Sequence, residues 1–265
     1  MELPLFQVDA FSDRVFGGNP AAVVPLREWP PDRLMQDVAR ENQLSETAFV
    51  RACPDGWEIR WFTPGCEVDL CGHATLAAAW VIREELGDQS ATLRFASASG
   101  SLSVSPLADG RLELDFPARP PEPGSGELRA ALSAALGAEP EAVMLAEDAM
   151  AVFRRPQTVA GLEPDMGALA AIEVRGVIAT APGDDCDFVS RFFAPRVGVP
   201  EDPVTGSAHC TLAPYWARRL EVTRMRARQI SPRGGEVACH QRGDRVGLAG
   251  FVAPYLQGVI RLPAQ

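Results

Sequence analysis

Short runs rich in β-branched and aromatic residues, each bounded by Gly, Pro or Asp, fill the first 116 residues: LFQVDAF, AAVVPL, TAFVRA, WEIRWFT, ATLRFAS, GSLSVSPL and RLELDF. Runs of this kind predict strands. Two stretches with helical spacing interrupt them. Residues 31–42 follow a pair of prolines and carry Leu34, Met35 and Val38 on one face, which predicts an amphipathic helix. Residues 73–86 are apolar on nearly every side until Arg83, Glu84 and Glu85, which predicts a helix buried along most of its length.

The segment PARPPEPGSG, residues 117–126, breaks this pattern and reads as an interdomain linker. Beyond it the order returns: a helix over about 127–136, strands MAVFRR, EVRGVIA and DFVSRFF, a helix over about 207–220, then strands MRARQIS, GEVACHQ, RVGLAGF and QGVIRL. The buried helices share a phrase. Aligned on His73 and His209, 136 residues apart, five of eight positions are identical. Similar phrases, WFTP at 61–64 and FFAP at 192–195, stand upstream. The reading is a duplicated α+β architecture of two similar domains, 1–116 and 127–254. Each is an antiparallel sheet around a central helix, with too few crossover helices expected for parallel strands.

A chain of 265 residues with 46% hydrophobic content has enough material for such cores. Its formal net charge of −10 opposes nucleic acid and anionic membranes at long range, so a small molecule is the expected partner. There is no lysine in the sequence. That removes Schiff-base chemistry through a protein amine and a Walker A lysine. Six cysteines at uneven spacing in a chain of this size read as reduced thiols. The start MELPLFQ lacks a secretory pattern, and no run reaches the length of a membrane span, so a cytoplasmic protein is expected.

Chemistry concentrates in the turns that lead into the two buried helices, GCEVDLCGH (65–73) and PEDPVTGSAH (200–209). Helix N-termini present unpaired N–H groups and partial positive charge, so each turn can hold a carboxylate, and two such ends facing one cleft would make a binding site. Gly72 and Gly206 permit close backbone approach, and Ser207 is either the N-cap of its helix or a donor to a ligand. Cys71 is either a buried structural thiol or, with a pKa lowered by the helix end, an acid or base. The spacing C-x4-C-x-H at Cys66, Cys71 and His73 invites zinc, but no second pair completes a tetrahedral set, so no metal is expected. In RENQLSETAFV, Glu46 is either an ordinary strand residue or a carboxylate aimed at the cleft. Asn19, before Pro20, is either a turn residue or part of the cleft.

Taken together, DAF with GGNPAAVV (9–24), ENQLSETAFV (41–50), FTPGCEVDLCGHATLAAA (62–79) and EDPVTGSAHC (201–210) resemble the phenazine-biosynthesis-like, or PhzF-like, family over nearly the whole chain. The resemblance implies a fold like diaminopimelate epimerase and proline racemase. It implies an isomerase without cofactor, a homodimer, and a final strand, about 255–265, that rejoins the first domain. It further implies that Glu46 moves a proton between carbon atoms while His73, Asp202 and Ser207 bind substrate and relay protons. Related epimerases use one cysteine from each domain; here Cys71 is kept and Asp202 stands where the second is expected.

The expected function is therefore a cofactor-independent proton shift on a small carboxylic, amino-acid-like substrate. Glu46 is the acid/base, with Gly72, His73, Gly206 and Ser207 holding the anion. Two rivals remain: epimerisation through Cys71, and a noncatalytic binding protein on the same fold.

Overall fold

Alanine and other small residues let a helix pack closely against a sheet, and GHATLAAAWVIRE (72–84) is buried in that way against the strands at 2–10, 19–26 and 46–53. The structure is a computed structural model describing residues 1–262. Its first unit comprises Met1–Asp115 with the segment from Ala249, and its second comprises Phe116–Leu248.

In the first unit the order is β1 (Glu2–Ala10), β2 (Asn19–Leu26), α1 (Asp32–Asn42), β3 (Glu46–Cys53), β4 (Gly56–Phe62), β5 (Glu67–Val68), α2 (Gly72–Glu84), β6 (Leu93–Ser97), β7 (Gly100–Pro106) and β8 (Leu112–Pro117). The second unit follows with β9 (Glu122–Pro123), α3 (Gly126–Leu136), β10 (Ala142–Leu145), β11 (Ala149–Val152), α4 (Pro156–Ala160), α5 (Met166–Ala171), β12 (Val177–Pro182), β13 (Phe188–Ala194), β14 (Val199–Asp202), α6 (Gly206–Leu220), β15 (Arg224–Gln229), β16 (Gly235–Arg242) and β17 (Arg245–Gly250). The last strand, β18 (Val252–Arg261), returns to the first unit and pairs antiparallel with β1. Residues 263–265 of the expected final strand lie outside the described residues.

The α+β class with one buried helix per unit agrees with the sequence reading, but the strand directions are mixed. In the first unit β2 runs parallel to β3 and β4 parallel to β6; β1 with β2, β1 with β18, β3 with β4, β4 with β5, β6 with β7 and β7 with β8 are antiparallel. The second unit repeats the scheme: β11 is parallel to β12 and β13 to β15, with β10 and β11, β12 and β13, and β15 and β16 antiparallel. A parallel pair needs a crossover. Helices α1 and α2 provide the two in the first unit; α4 with α5, and α6, provide those in the second. Helices α4 and α5 are short and were not expected. The helix expected over about 127–136, ahead of strand MAVFRR, is α3, between β9 and β10.

Burial follows from this layout. In α2 every residue from Gly72 to Ala79 is buried, as are Val81 and Ile82. In α6, Ala208 to Ala213 and Trp216 are buried, and the Trp216 ring stacks on Phe188 at 5.6 Å. Helix α1 instead buries one stripe, Met35, Val38 and Ala39, against Leu5, Ala22, Val24, Phe49 and Phe62. In the second unit Leu132, Ala151, Phe153, Val177, Val189 and Phe193 form a comparable core.

The expected linker is tied into the second unit. Pro214 inside α6 has no N–H, so the Cys210 carbonyl loses its helical donor. The Arg119 N–H donates to that carbonyl at 2.9 Å, and Ala118 N–H donates to Asp244 O at 2.8 Å. Ser125 then caps α3 by accepting from Leu128 N–H. Among the described residues no helix is long and apolar enough to cross a membrane.

Candidate active site

The sequence places a polar turn in front of each buried helix, and in the first unit that turn gathers five of the expected residues. Cys71 is the extended N-cap of α2, Gly72 its first helical residue and His73 its second. Glu46 opens β3 and Asn19 opens β2, and the parallel register sets Ala21 beside Glu46. Thr75 Oγ1 donates to Cys71 O at 2.5 Å and fixes the turn.

His73, 4% exposed, is the hub. Its Nδ1 lies 3.2 Å from Asn19 Nδ2 and 3.5 Å from Cys71 Sγ. Its Nε2 lies 3.1 Å from Glu46 Oε2, with the Glu46 side chain 18% exposed. This last approach is close but poorly aligned, so neither atom makes a well-formed hydrogen bond. Two donors, an amide and a thiol, face Nδ1, so in the neutral ring the proton sits on Nε2 toward the carboxylate.

Electrostatics sharpen the arrangement. Burial, with the Glu46 carboxylate adding to it, pushes the Cys71 thiol up to about 11, and nearby His73 only partly offsets this. Of the two readings of that thiol, the buried one accords with its 7% exposure, and its pKa moves up rather than down. Burial by itself depresses the His73 pKa, but the anionic forms of Cys71 and Glu46 outweigh it and lift the value well above 6.5. A thiol that ionises near 11 is neutral at pH 7, so the charge that acts on His73 there is that of Glu46.

Glu46, Cys71 and His73 offer three ligand atoms within 4.8 Å of one another. They reach His73 through different ring nitrogens, however, and a metal ion takes one. As arranged, an ion on Nε2 would have Glu46 beside it and the thiol across the ring. Cys66, the other thiol of the zinc-like spacing, is exposed, and its backbone carbonyl and Sγ lie against the Thr63 hydroxyl. The trio reads as a chain of proton-bearing groups.

In the second unit Asp202 ends β14, and its carboxylate accepts from Thr205 Oγ1 at 2.5 Å. Gln229 ties this turn together, donating to Asp202 O at 2.7 Å and accepting from Thr205 N–H at 3.0 Å. The N-cap of α6 is Thr205, so Ser207 is not the cap. Ser207 is the second helical residue, and its hydroxyl accepts from Arg175 Nη2 at 3.0 Å. Asp202 and Ser207 share the turn without a direct bond between them.

The helix starts, Gly72 and Gly206, put Cys71 opposite Thr205, His73 opposite Ser207 and Thr75 opposite His209. That register is two residues out of step with the His73–His209 alignment, which would match Cys71 with Ser207; by helix start the residue that matches Cys71 is Thr205, where the family resemblance led to Asp202. Sequence reasoning also missed Arg175, Asp148 and Gln229. Only the Arg-Gly pair at 175–176 gave a signal, and it lay inside what read as a plain strand.

Comparison with known proteins follows the same line. The family model described as phenazine biosynthesis-like protein (PhzC–PhzF) matches residues 8–258. An uncharacterized isomerase of Pseudomonas aeruginosa is 51% identical, covering 99% of this chain and all of that protein. The crystal structure of a PhzF-family phenazine biosynthesis protein from Enterococcus faecalis is 44% identical with a TM-score of 0.96, covering 99% of this chain and all of that one. A hydroxyproline epimerase from Agrobacterium vitis, at 10% identity and a TM-score of 0.63 over 98% of this chain and 92% of that one, shares the fold.

Proposed function

The chain belongs to the phenazine biosynthesis-like family, and on that footing we propose that it is an isomerase that moves a proton between carbon atoms of a small carboxylic, amino-acid-like substrate. Glu46 is the general acid/base. The observation that carries this reading is the partly enclosed Glu46 carboxylate 3.1 Å from the buried His73 Nε2 at the start of α2.

Removing a proton from carbon beside a carboxylate drives negative charge onto the carboxylate oxygens, and prearranged donors stabilise that charge. The first-turn N–H groups of α2, Gly72 and His73 among them, are such donors. Glu46 takes the proton and returns it to another carbon. The shift is redox-neutral: one C–H bond breaks, its electron pair is held in the enediolate-like state, and another C–H bond forms, a step the proposal assigns to the protein's own groups without a cofactor. His73, with its Nε2–H toward Glu46, stabilises the carboxylate form between turnovers and is a second proton source. At the start of α6, Gly206 and Ser207 offer carboxylate-holding donors of the same kind, with Asp202 bracing the turn through Thr205.

A second reading, epimerisation through Cys71, draws on the 3.5 Å contact of its Sγ with His73 Nδ1. A thiol that ionises near 11 is a poor base at neutral pH, which favours Glu46.

Deuterium exchange tests the assignment without the substrate having been identified. The full chain is incubated in deuterated buffer with a panel of small carboxylic and amino acids of both configurations, and carbon-bound hydrogen is followed by proton NMR. At least one compound loses a C–H signal, and Glu46→Gln slows that loss by about 100-fold or more. Exchange by Glu46→Gln at the wild-type rate sinks the assignment. Cys71→Ala keeps exchange if Glu46 is the base and abolishes it if the thiol is. We place the protein in the cytoplasm as a homodimer, to be checked by fractionation and light scattering.

A further inference from the structure

The hydroxyl of Ser207 has a constrained hydrogen. A serine hydroxyl has one hydrogen to donate and lone pairs to accept. Arg175 Nη2 donates to Ser207 Oγ at 3.0 Å, and a guanidinium has no lone pair to offer in return. The Ser207 hydrogen must therefore point away from Arg175, and among the described residues the hydroxyl donates no hydrogen bond. The hydroxyl is left as a donor, next to the first-turn N–H groups of α6.

Arg175 is itself held from several sides. Its Nε and Nη2 donate to the two oxygens of Asp148 at 2.9 and 2.5 Å, and Asp148 is 1% exposed. Glu147 Oε1 lies 3.4 Å from Nε, and Glu147 also pairs with Arg119. The guanidinium lies over the Phe192 ring at 5.7 Å. The neighbouring Gly176 shows how tight this seat is: a Cβ there would come within 2.3 Å of Phe192 Cζ and 3.2 Å of Asp148 Oδ1. A bidentate pair with a buried carboxylate fixes the plane of the guanidinium, and so the direction of the remaining donor. The first unit differs at the matching place. There the second helical residue is His73, set by Asn19 and facing Glu46; here it is Ser207, set by a cation.

We propose that Arg175 is a positioning residue, locked by Asp148, that turns the Ser207 hydroxyl into a fixed hydrogen-bond donor for a carboxylate held at the start of α6. This rests on the reading that Gly206 and Ser207 hold a carboxylate, and adds the residue that orients the group.

The test is a double-mutant cycle on the full chain, with malonate as the probe and the Gly206 and Ser207 amide signals followed by NMR. Malonate shifts both amides in the wild type. Ser207→Ala and Arg175→Met each weaken its binding about ten-fold, the effect of losing one hydrogen bond to a charged group. The double variant binds no more weakly than Ser207→Ala, because Arg175 acts through that hydroxyl. Arg175→Met strands a buried carboxylate and could unfold the protein; Arg175→Lys keeps the charge beside Asp148. An ammonium has three donors but no rigid planar fork to fix the direction toward Ser207, so the lysine variant loses affinity as the methionine variant does. Additive losses in the double variant, wild-type affinity in Arg175→Lys, or amides that malonate leaves unmoved would each overturn the proposal. Deuterium exchange by Glu46→Gln is a separate readout, so the Glu46 reading and the Arg175 role can fail independently.

Discussion

Thr75 and His209 make the same bond in the two units: Thr75 Oγ1 donates to the carbonyl of the N-cap Cys71 at 2.5 Å, and His209 Nδ1 to that of the N-cap Thr205 at 2.8 Å. His209 thus has a structural task, closing the turn that leads into α6. The carbonyl accepts, so Nδ1 carries the hydrogen and Nε2 is left as a bare acceptor among buried groups. Burial pushes the ring down to about 4, with the bond to Thr205 only partly opposing it. An unfolded histidine takes up its proton near 6.5, so between about 6.5 and 4 the unfolded state binds more protons and stability falls with falling pH. Across that window His209 accounts for about 3 kcal/mol. Urea unfolding of wild type and His209→Asn at pH 7 and pH 4.5 measures this. The variant, which keeps a donor for Thr205 O but cannot titrate, shows a shallower acid loss; equal slopes would refute the assignment.

His73 titrates with the opposite sign. Its folded value is raised, so its contribution to stability is full below the unfolded value near 6.5 and is lost as pH rises through the folded value. Because Cys71 is uncharged at neutral pH, Glu46 is the anion responsible. In Glu46→Gln the His73 midpoint, read by nitrogen NMR of the ring, therefore drops. A midpoint that stays put would mean that the 3.1 Å approach carries no electrostatic weight.

Strand and helix positions were largely legible in the sequence because α1 follows a clear stripe and α2 is apolar all round, while Gly and Pro mark the turns. Strand direction was not legible. Periodicity reports which side chains face inward, and a parallel partner leaves the same mark as an antiparallel one; the crossover helices α4 and α5 are too short to show a period. At the site, Glu46, Cys71 and His73 could be named from their phrases, and the structure joins them through two ring nitrogens. Arg175 and Asp148 could not be named, since 27 residues separate them and their pairing depends on the parallel register of β11 and β12.

The state of Cys71 can be read directly. Alkylation by iodoacetamide, followed peptide by peptide in a mass spectrometer, modifies the exposed Cys66 first. Cys71 reacts with a midpoint near pH 11, since burial and then the Glu46 charge both disfavour its thiolate. Glu46→Gln removes the second cause, so the midpoint falls while the first holds it above that of a free thiol. Rapid alkylation of Cys71 at pH 7 in the wild type would restore the thiolate reading and with it the epimerase alternative.

Duplication also sets two ion pairs side by side for comparison. Arg60 in β4 grips Glu67 in β5 through Nε and Nη2 at 2.7 and 2.6 Å, and Arg191 in β13 grips Glu201 in β14 through the same atoms at 2.7 and 2.9 Å. Each guanidinium lies over a phenylalanine two residues on, Phe62 at 5.3 Å and Phe193 at 4.9 Å. Their exposure differs: 26% and 37% for Arg60 and Glu67, 12% and 15% for Arg191 and Glu201. Water screens the first pair, and Asp32 gives Arg60 a second carboxylate, so Glu67→Gln costs less than about 1 kcal/mol. In the second pair the charge left on Arg191 keeps no carboxylate, just the carbonyls of Val159, Ala160 and Leu162 and the Phe193 ring, and Glu201→Gln costs about 3 kcal/mol. Denaturant unfolding of the two variants under one set of conditions decides the matter. Equal losses would show that exposure does not set the cost, and the two pairs would then have to be treated as energetically equivalent.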